Sequence, residues 1–177
     1  PSKIASVLPD NIFKLYLERY IFARLMTTLF SLLIGLVVFR WSKELYGFIP
    51  ALVSLILYVF DPNIIAHSQL TTTDMYATGT VTFAAYRLWR FSRNRTWQEG
   101  LWLAFALGIA QLAKYTSISL YPLFLIALLV VDLFGDKKDI KPRIGYATSM
   151  LIKYFLYLFV AFVVGVLVIN IGYLFQK

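Results

Sequence analysis

LWLAFALGIAQLAKYTSISLYPLFLIALLVVDLF, from Leu101 to Phe134, decides the class of this protein. Lys114 interrupts the run near its midpoint and is the only basic residue between Arg95 and Lys137. One crossing of a ~30 Å hydrocarbon layer takes about 20 helical residues. The run is too long for one crossing and reads as two membrane segments joined by a tight turn at Lys114. An ionisable group held at such a place is costly and marks a functional position by default.

Composition extends that reading to the whole chain. Of 177 residues, 60% are hydrophobic and 15% charged, and the mean hydropathy is +0.72. An ordinary soluble domain is much less apolar. The 12 Tyr, 15 Phe and 4 Trp suit helices that pass through two interfacial belts. The net charge of +8 does not indicate nucleic acid, because the basic residues sit between apolar runs and not in one stripe. With no cysteine, disulfides, thiolate metal sites and thiol nucleophiles are excluded.

Six apolar segments follow one another: Tyr20–Phe39, Tyr46–Phe60, Met75–Trp89, Trp97–Ala113, Thr116–Phe134 and Met150–Tyr173. Within a bilayer such runs must be helical, since open strand edges go unsatisfied in lipid. The expected fold is an all-α membrane protein, a bundle of about six transmembrane helices. Gly79, Ala84, Ala85, Ala104, Ala106, Gly108 and Ala110 suit close helix packing. Residues 1–19 are expected to form an extracytoplasmic interfacial segment, the end of a first loop. Its stretch from Asn11 to Tyr20 is amphipathic enough to lie along the membrane surface. Residues 20–177 form the bundle. The chain starts at Pro1 without Met and ends at Lys177, so it is expected to be a segment of a larger protein.

Orientation follows from Lys and Arg. The connections after the first, third and fifth segments hold Arg40 and Lys43; Arg87, Arg90, Arg93 and Arg95; and Lys137, Lys138, Lys141 and Arg143, with Lys153 beyond. Together these are 11 of the 17 basic residues, and the positive-inside rule places them in the cytoplasm as solvated loops. Such loops meet anionic lipid headgroups. The opposite face receives the connection Asp61–Asp74 and Lys114. Lys3, Lys14, Arg19 and Arg24 also fall on that face, either as an exception to the rule or as a site for phosphate.

The connection DPNIIAHSQLTTTD, Asp61–Asp74, carries His67 and two aspartates but no Lys or Arg. Asp61-Pro62 ends one helix, because proline forces its predecessor out of the helical region. Thr71-Thr72-Thr73-Asp74 opens the next, where an acidic residue also complements the helix dipole without further function. His67 is the only histidine. Asp61 and Asp74, with a glutamate from elsewhere, offer oxygen ligands to a divalent cation. Their spacing is not diagnostic, so no metal site is assigned and a divalent cation stays open. Lys114 has its own ordinary role at a helix C-terminus, where a cation favours the dipole.

Phe22-Ala-Arg-Leu, Tyr46-Gly, Asp61-Pro-Asn-Ile-Ile-Ala-His-Ser, Thr71-Thr-Thr-Asp74, Gly108-Ile-Ala-Gln-Leu-Ala-Lys114-Tyr-Thr and Tyr121-Pro122 occur in that order. The series resembles the GT-C class of polytopic glycosyltransferases, of the protein O-mannosyltransferase and aminoarabinose-transferase type, over about residues 20–135. The resemblance implies a GT-C-like fold in the bacterial inner or plasma membrane. It implies transfer of a sugar from a polyprenyl- or dolichyl-phosphate donor to a protein, lipid or glycan acceptor at the extracytoplasmic face. Asp74 matches a carboxylate of the active-site cavity, and Lys114 the lysine of a turn that holds donor phosphate. Ala113 stands there where the family has threonine. Arg24 matches an arginine bordering the cavity, and His67 lies in the same substrate-facing connection. The family's principal acidic motif lies in a first loop that would precede Pro1. The chain alone is therefore expected to be inactive, with Asp74 a supporting carboxylate. Half of a transporter, or a non-catalytic membrane subunit, remain the alternatives. Internal halves with matching Gly/Pro breaks would mark the transporter, and no internal repeat is present.

Overall fold

The computed structural model describes residues 10–134 and 144–173. Regular structure among them is entirely helical: α1 Asp10–Tyr46, α2 Phe48–Val59, α3 Pro62–Ser68, α4 Thr73–Arg93, α5 Trp97–Ala113, a 3₁₀ turn Tyr115–Ser119, α6 Leu120–Phe134 and α7 Ile144–Tyr173. Every one of the six apolar segments holds helix. Three stretches among the described residues are long and apolar enough to cross a membrane: Leu17–Tyr46, Tyr115–Asp132 and Tyr154–Ile171. The pair α2–α3, bent by 60° at its break, makes a fourth if it is one broken span. The shortfall from six has a physical reason. The 17 residues of α5 reach only about 25 Å at 1.5 Å per residue. The 21-residue α4 carries four threonines, an aspartate and three arginines.

Two compact units divide the chain, Pro1–Gly79 and Thr80–Lys177. In the first, α1 is a continuous helix of 37 residues. The separate interfacial segment expected over residues 1–19 is thus already helix α1 from Asp10 onward, while residues 1–9 lie outside the described residues. No proline or glycine interrupts the chain from Asp10 to Tyr20, so nothing stops the helix propagating. Leu25, Met26, Leu29, Leu32, Leu33 and Leu36 are each more than half exposed. A water-soluble protein does not tolerate such a surface; lipid does.

At the end of α1, Gly47 takes φ 92°, a conformation that costs glycine little. Its N–H bonds Lys43 O at 3.0 Å, and the chain turns back into α2. Polar groups hold these two helices together. Tyr58 donates to Ser31 O at 2.9 Å. Its hydroxyl proton is thereby used, so Ser31 Oγ donates to Tyr58 Oη at 3.2 Å. Likewise Ser54 donates to Pro50 O at 2.9 Å and receives a bond from Ser42 at 3.0 Å. Such bonds suit helix pairing in lipid, where apolar contact alone gives no preference for protein over lipid tails.

The connection expected as a loop contains α3. Asp61 does not only end α2; its side chain caps α3 by accepting from the N–H groups of Asn63 at 2.8 Å and Ile64 at 3.1 Å. Pro62 then stands at the first helical position, where its missing N–H costs nothing.

In the second unit α5 packs on α7. A Cβ on Gly108 would lie 3.1 Å from Gly165 Cα, so two glycines let the backbones meet. Leu103, Leu107, Phe124, Leu128, Leu158 and Ala161 fill the core around them. Two ionic groups were misread from sequence as solvated loop residues. Because α4 continues to Arg93, Arg87 and Arg90 fall one turn apart on a single helix face. Arg87 Nη1 lies 3.5 Å, and Arg90 Nη2 3.0 Å, from the carboxylate of Glu99. The guanidinium of Arg87 also stands 4.6 Å over the ring of Trp102. Arg95 Nη2 donates to Asp132 at 2.8 Å, and the Asp132 side chain is only 3% exposed. Tyr154 donates to the other oxygen of Asp132. The basic residues from Lys137 to Arg143 lie outside the described residues.

Candidate functional site

Within the first unit, three neighbouring residues of α1 reach the segment between α3 and α4. Arg24, half-buried, donates from Nη2 to Gln69 Oε1 at 3.3 Å, and its guanidinium stands 5.6 Å over the ring of Tyr20. Thr28 Oγ1 lies 3.1 Å from Ser68 O and 3.0 Å from Arg24 O. Thr27 Oγ1 lies 3.1 Å from Tyr76 Oη. These contacts tie α1 to the end of α3 and to the first turn of α4.

His67 sits in the last turn of α3 and is exposed. Asp74 stands in the first turn of α4, also exposed, where the helix dipole favours its negative charge. Arg24 thus meets Gln69, which lies between His67 and Asp74 in the chain. Gln69, Ser68, Thr27, Thr28 and Tyr76 were not singled out. Thr27 and Thr28 carried a usable signal, standing three and four residues beyond Arg24 on one helix face. Gln69 carried none, since it becomes a partner only because α3 folds.

Lys114 belongs to the second unit. It is the C-cap of α5, exposed, with extended backbone at φ −155° and ψ 120°. Its N–H closes the last turn of α5 on Ala110 O at 3.0 Å, and its carbonyl accepts from Ser117 at 2.9 Å. The tight turn expected here is the 3₁₀ turn Tyr115–Ser119. Both backbone groups are spent on local structure, which fixes the root of the side chain while the ammonium stays accessible. One turn earlier, Gln111 is buried.

Among the described residues no three His, Asp or Glu side chains gather as a metal site would require. What remains is, in the first unit, an exposed aspartate at the start of α4 and a half-buried arginine on α1, and, in the second unit, an exposed lysine at the end of α5. A cation of either kind can bind an anion, and a carboxylate can accept a proton.

The family model for dolichyl-phosphate-mannose-protein mannosyltransferases matches residues 11–164. The chain belongs to that family. The match covers α1 to α6 and most of α7, and so contains Arg24, His67, Asp74 and Lys114. No curated protein and no solved structure matches the chain. Family membership, with the apolar helices, supports a membrane glycosyltransferase of the dolichyl-phosphate-sugar type. It bears out the GT-C resemblance read from the ordered motifs.

Proposed function

We propose that the protein transfers a sugar from a polyprenyl- or dolichyl-phosphate donor to an acceptor hydroxyl on a protein, lipid or glycan, at the extracytoplasmic membrane face. The family match over residues 11–164 carries this proposal. Support for the face comes from the charge distribution: 11 of 17 basic residues lie in the alternate connections, which the positive-inside rule assigns to the cytoplasm. Six membrane passes fit this orientation, with α2–α3 as one broken span and α4 and α5 as short ones.

In the reaction the bond between the sugar's anomeric carbon and the phosphate oxygen breaks, and the electron pair leaves with the phosphate. The acceptor oxygen bonds that carbon and loses its proton. Lys114 binds the donor phosphate and stabilises the charge developing on it, which lowers the barrier where the cation is already in place. Arg24 and His67 border the donor on the substrate side. Asp74 accepts the hydroxyl proton, or supports the carboxylate that does. No step is assigned to a divalent cation.

The test uses the full-length protein in membranes with a lipid-phosphate-linked sugar. Asp74→Asn should lower kcat by about 10²-fold or more, the usual contribution of a positioned acid–base group. Lys114→Ala should cost a comparable factor, as loss of a charge-stabilising donor does. Wild-type turnover in both variants would refute the assignment. A wild-type protein that binds the lipid phosphate without transferring sugar would instead be a non-catalytic subunit.

A further inference from the structure

Thr27 is fully buried on α1. Its Oγ1 lies 3.1 Å from Ala23 O and 3.1 Å from Tyr76 Oη. A carbonyl can only accept, so the single hydroxyl proton of Thr27 goes to Ala23, and Tyr76 donates to Thr27. That chain of bonds has one direction and anchors the ring of Tyr76. Phe30 packs on the same ring, with centroids 4.9 Å apart. One turn further along α4, a Cβ on Gly79 would lie 2.7 Å from Phe30 Cε1. A side chain there would displace Phe30 and Ile34, so glycine lets α4 approach α1 this closely.

Tyr76 and Gly79 therefore form the face of α4 turned toward α1. Helical residues succeed one another at about 100°, so Asp74 lies roughly 160° round the helix from Tyr76. Its exposure and the 2% exposure of the intervening Met75 agree with that rotation. Any rotation of the first turn of α4 carries that carboxylate with it.

We propose that Thr27 and Tyr76 are positioning residues that fix the rotation of this first turn and so set the direction of the Asp74 carboxylate. The proposal rests on the role given above to Asp74. Neither side chain touches substrate; they act through α4.

The experiment has a kinetic and a labelling arm, both in the full-length protein. Tyr76→Phe and Thr27→Val should each lower kcat about tenfold, since misplacement by an ångström costs up to 10²-fold, with KM for the lipid donor unchanged. The double variant should be no worse than either single one, because both remove one bond. Thr27→Ser, which keeps the hydroxyl, should recover kcat. Wild-type kcat in both single variants overturns the proposal, as does a rise in KM at constant kcat. In the second arm, Asp74→Cys is labelled with a water-soluble maleimide, and adding Thr27→Val should change the labelling rate at least twofold. An unchanged labelling rate overturns the proposal whatever Asp74 does in catalysis. Wild-type turnover in Asp74→Asn with a changed labelling rate would remove the catalytic role and leave the positioning intact. Thermal unfolding of each variant separates loss of orientation from loss of fold; variants that recover kcat only in proportion to folded protein overturn the proposal.

Discussion

Removing the two members of the Arg95–Asp132 pair one at a time should have unequal consequences. The bond is 2.8 Å long, but the side chain of Arg95 is 32% exposed and that of Asp132 only 3%. Arg95→Gln would strand a carboxylate inside the protein. Breaking a buried pair from that side costs about 3–5 kcal/mol. Arg95 also stands 4.9 Å over the ring of Tyr154 and 5.7 Å over that of Phe91, contacts of about 0.5–1 kcal/mol each that disappear with it. Asp132→Asn, by contrast, leaves a guanidinium that already reaches solvent, and the amide oxygen still accepts from Tyr154. Its loss should be nearer the lower end of about 1.5–3 kcal/mol, one hydrogen bond to a charged group. The assay is reversible unfolding of the purified protein in mixed micelles with increasing SDS, followed by helical circular dichroism. A difference of 1.4 kcal/mol is about tenfold in the unfolding constant, well within reach of such a titration. If Asp132→Asn proves as destabilising as Arg95→Gln, or both fall within 0.5 kcal/mol of wild type, the pair does not hold the second unit as described.

Gly108→Ala should destabilise the same unit by about 1–3 kcal/mol, the usual cost of overpacking. The added methyl meets the backbone of Gly165, which cannot step aside as a side-chain tip can; an SDS midpoint equal to wild type would contradict this. Arg24→Gln should raise KM for the lipid donor several-fold and leave kcat close to wild type, because the proposed function has Arg24 border the donor without taking part in proton transfer. A lowered kcat at constant KM, measured in the same transfer assay, would move Arg24 into the chemical step.

Hydropathy alone was enough to place this protein in a membrane, and charge counts along the chain gave the orientation used in its proposed function. Both depend on transfer from water to lipid, which each residue contributes locally. Lys114 at a helix end and Asp74 at a helix start were also legible, because proline, threonine and the end of an apolar run act on their near neighbours. Length was the less readable quantity. Six runs are helical, yet α4 and α5 lack the apolar length of full spans, and α1 extends ten residues above its apolar start. Helix propagation does not stop where hydropathy falls; it stops at residues that break it.

What the sequence could not show is which charges and hydroxyls meet. Arg87, Arg90 and Arg95 looked like a solvated basic turn, and only the approach of α4 to α5, and of the connection between them to α6, gives them Glu99 and Asp132. Thr27 and Tyr76 stand 49 positions apart, and no local propensity links them. Their bond exists because Gly79 lets α4 close on α1. The sequence by itself determined that the chain is helical, apolar and charged at particular helix ends, since those properties are fixed by neighbours along the chain. The tertiary structure alone decided the partners of Arg24, Arg95 and Tyr76, since a hydrogen bond or ion pair forms only where two helices bring its atoms within reach.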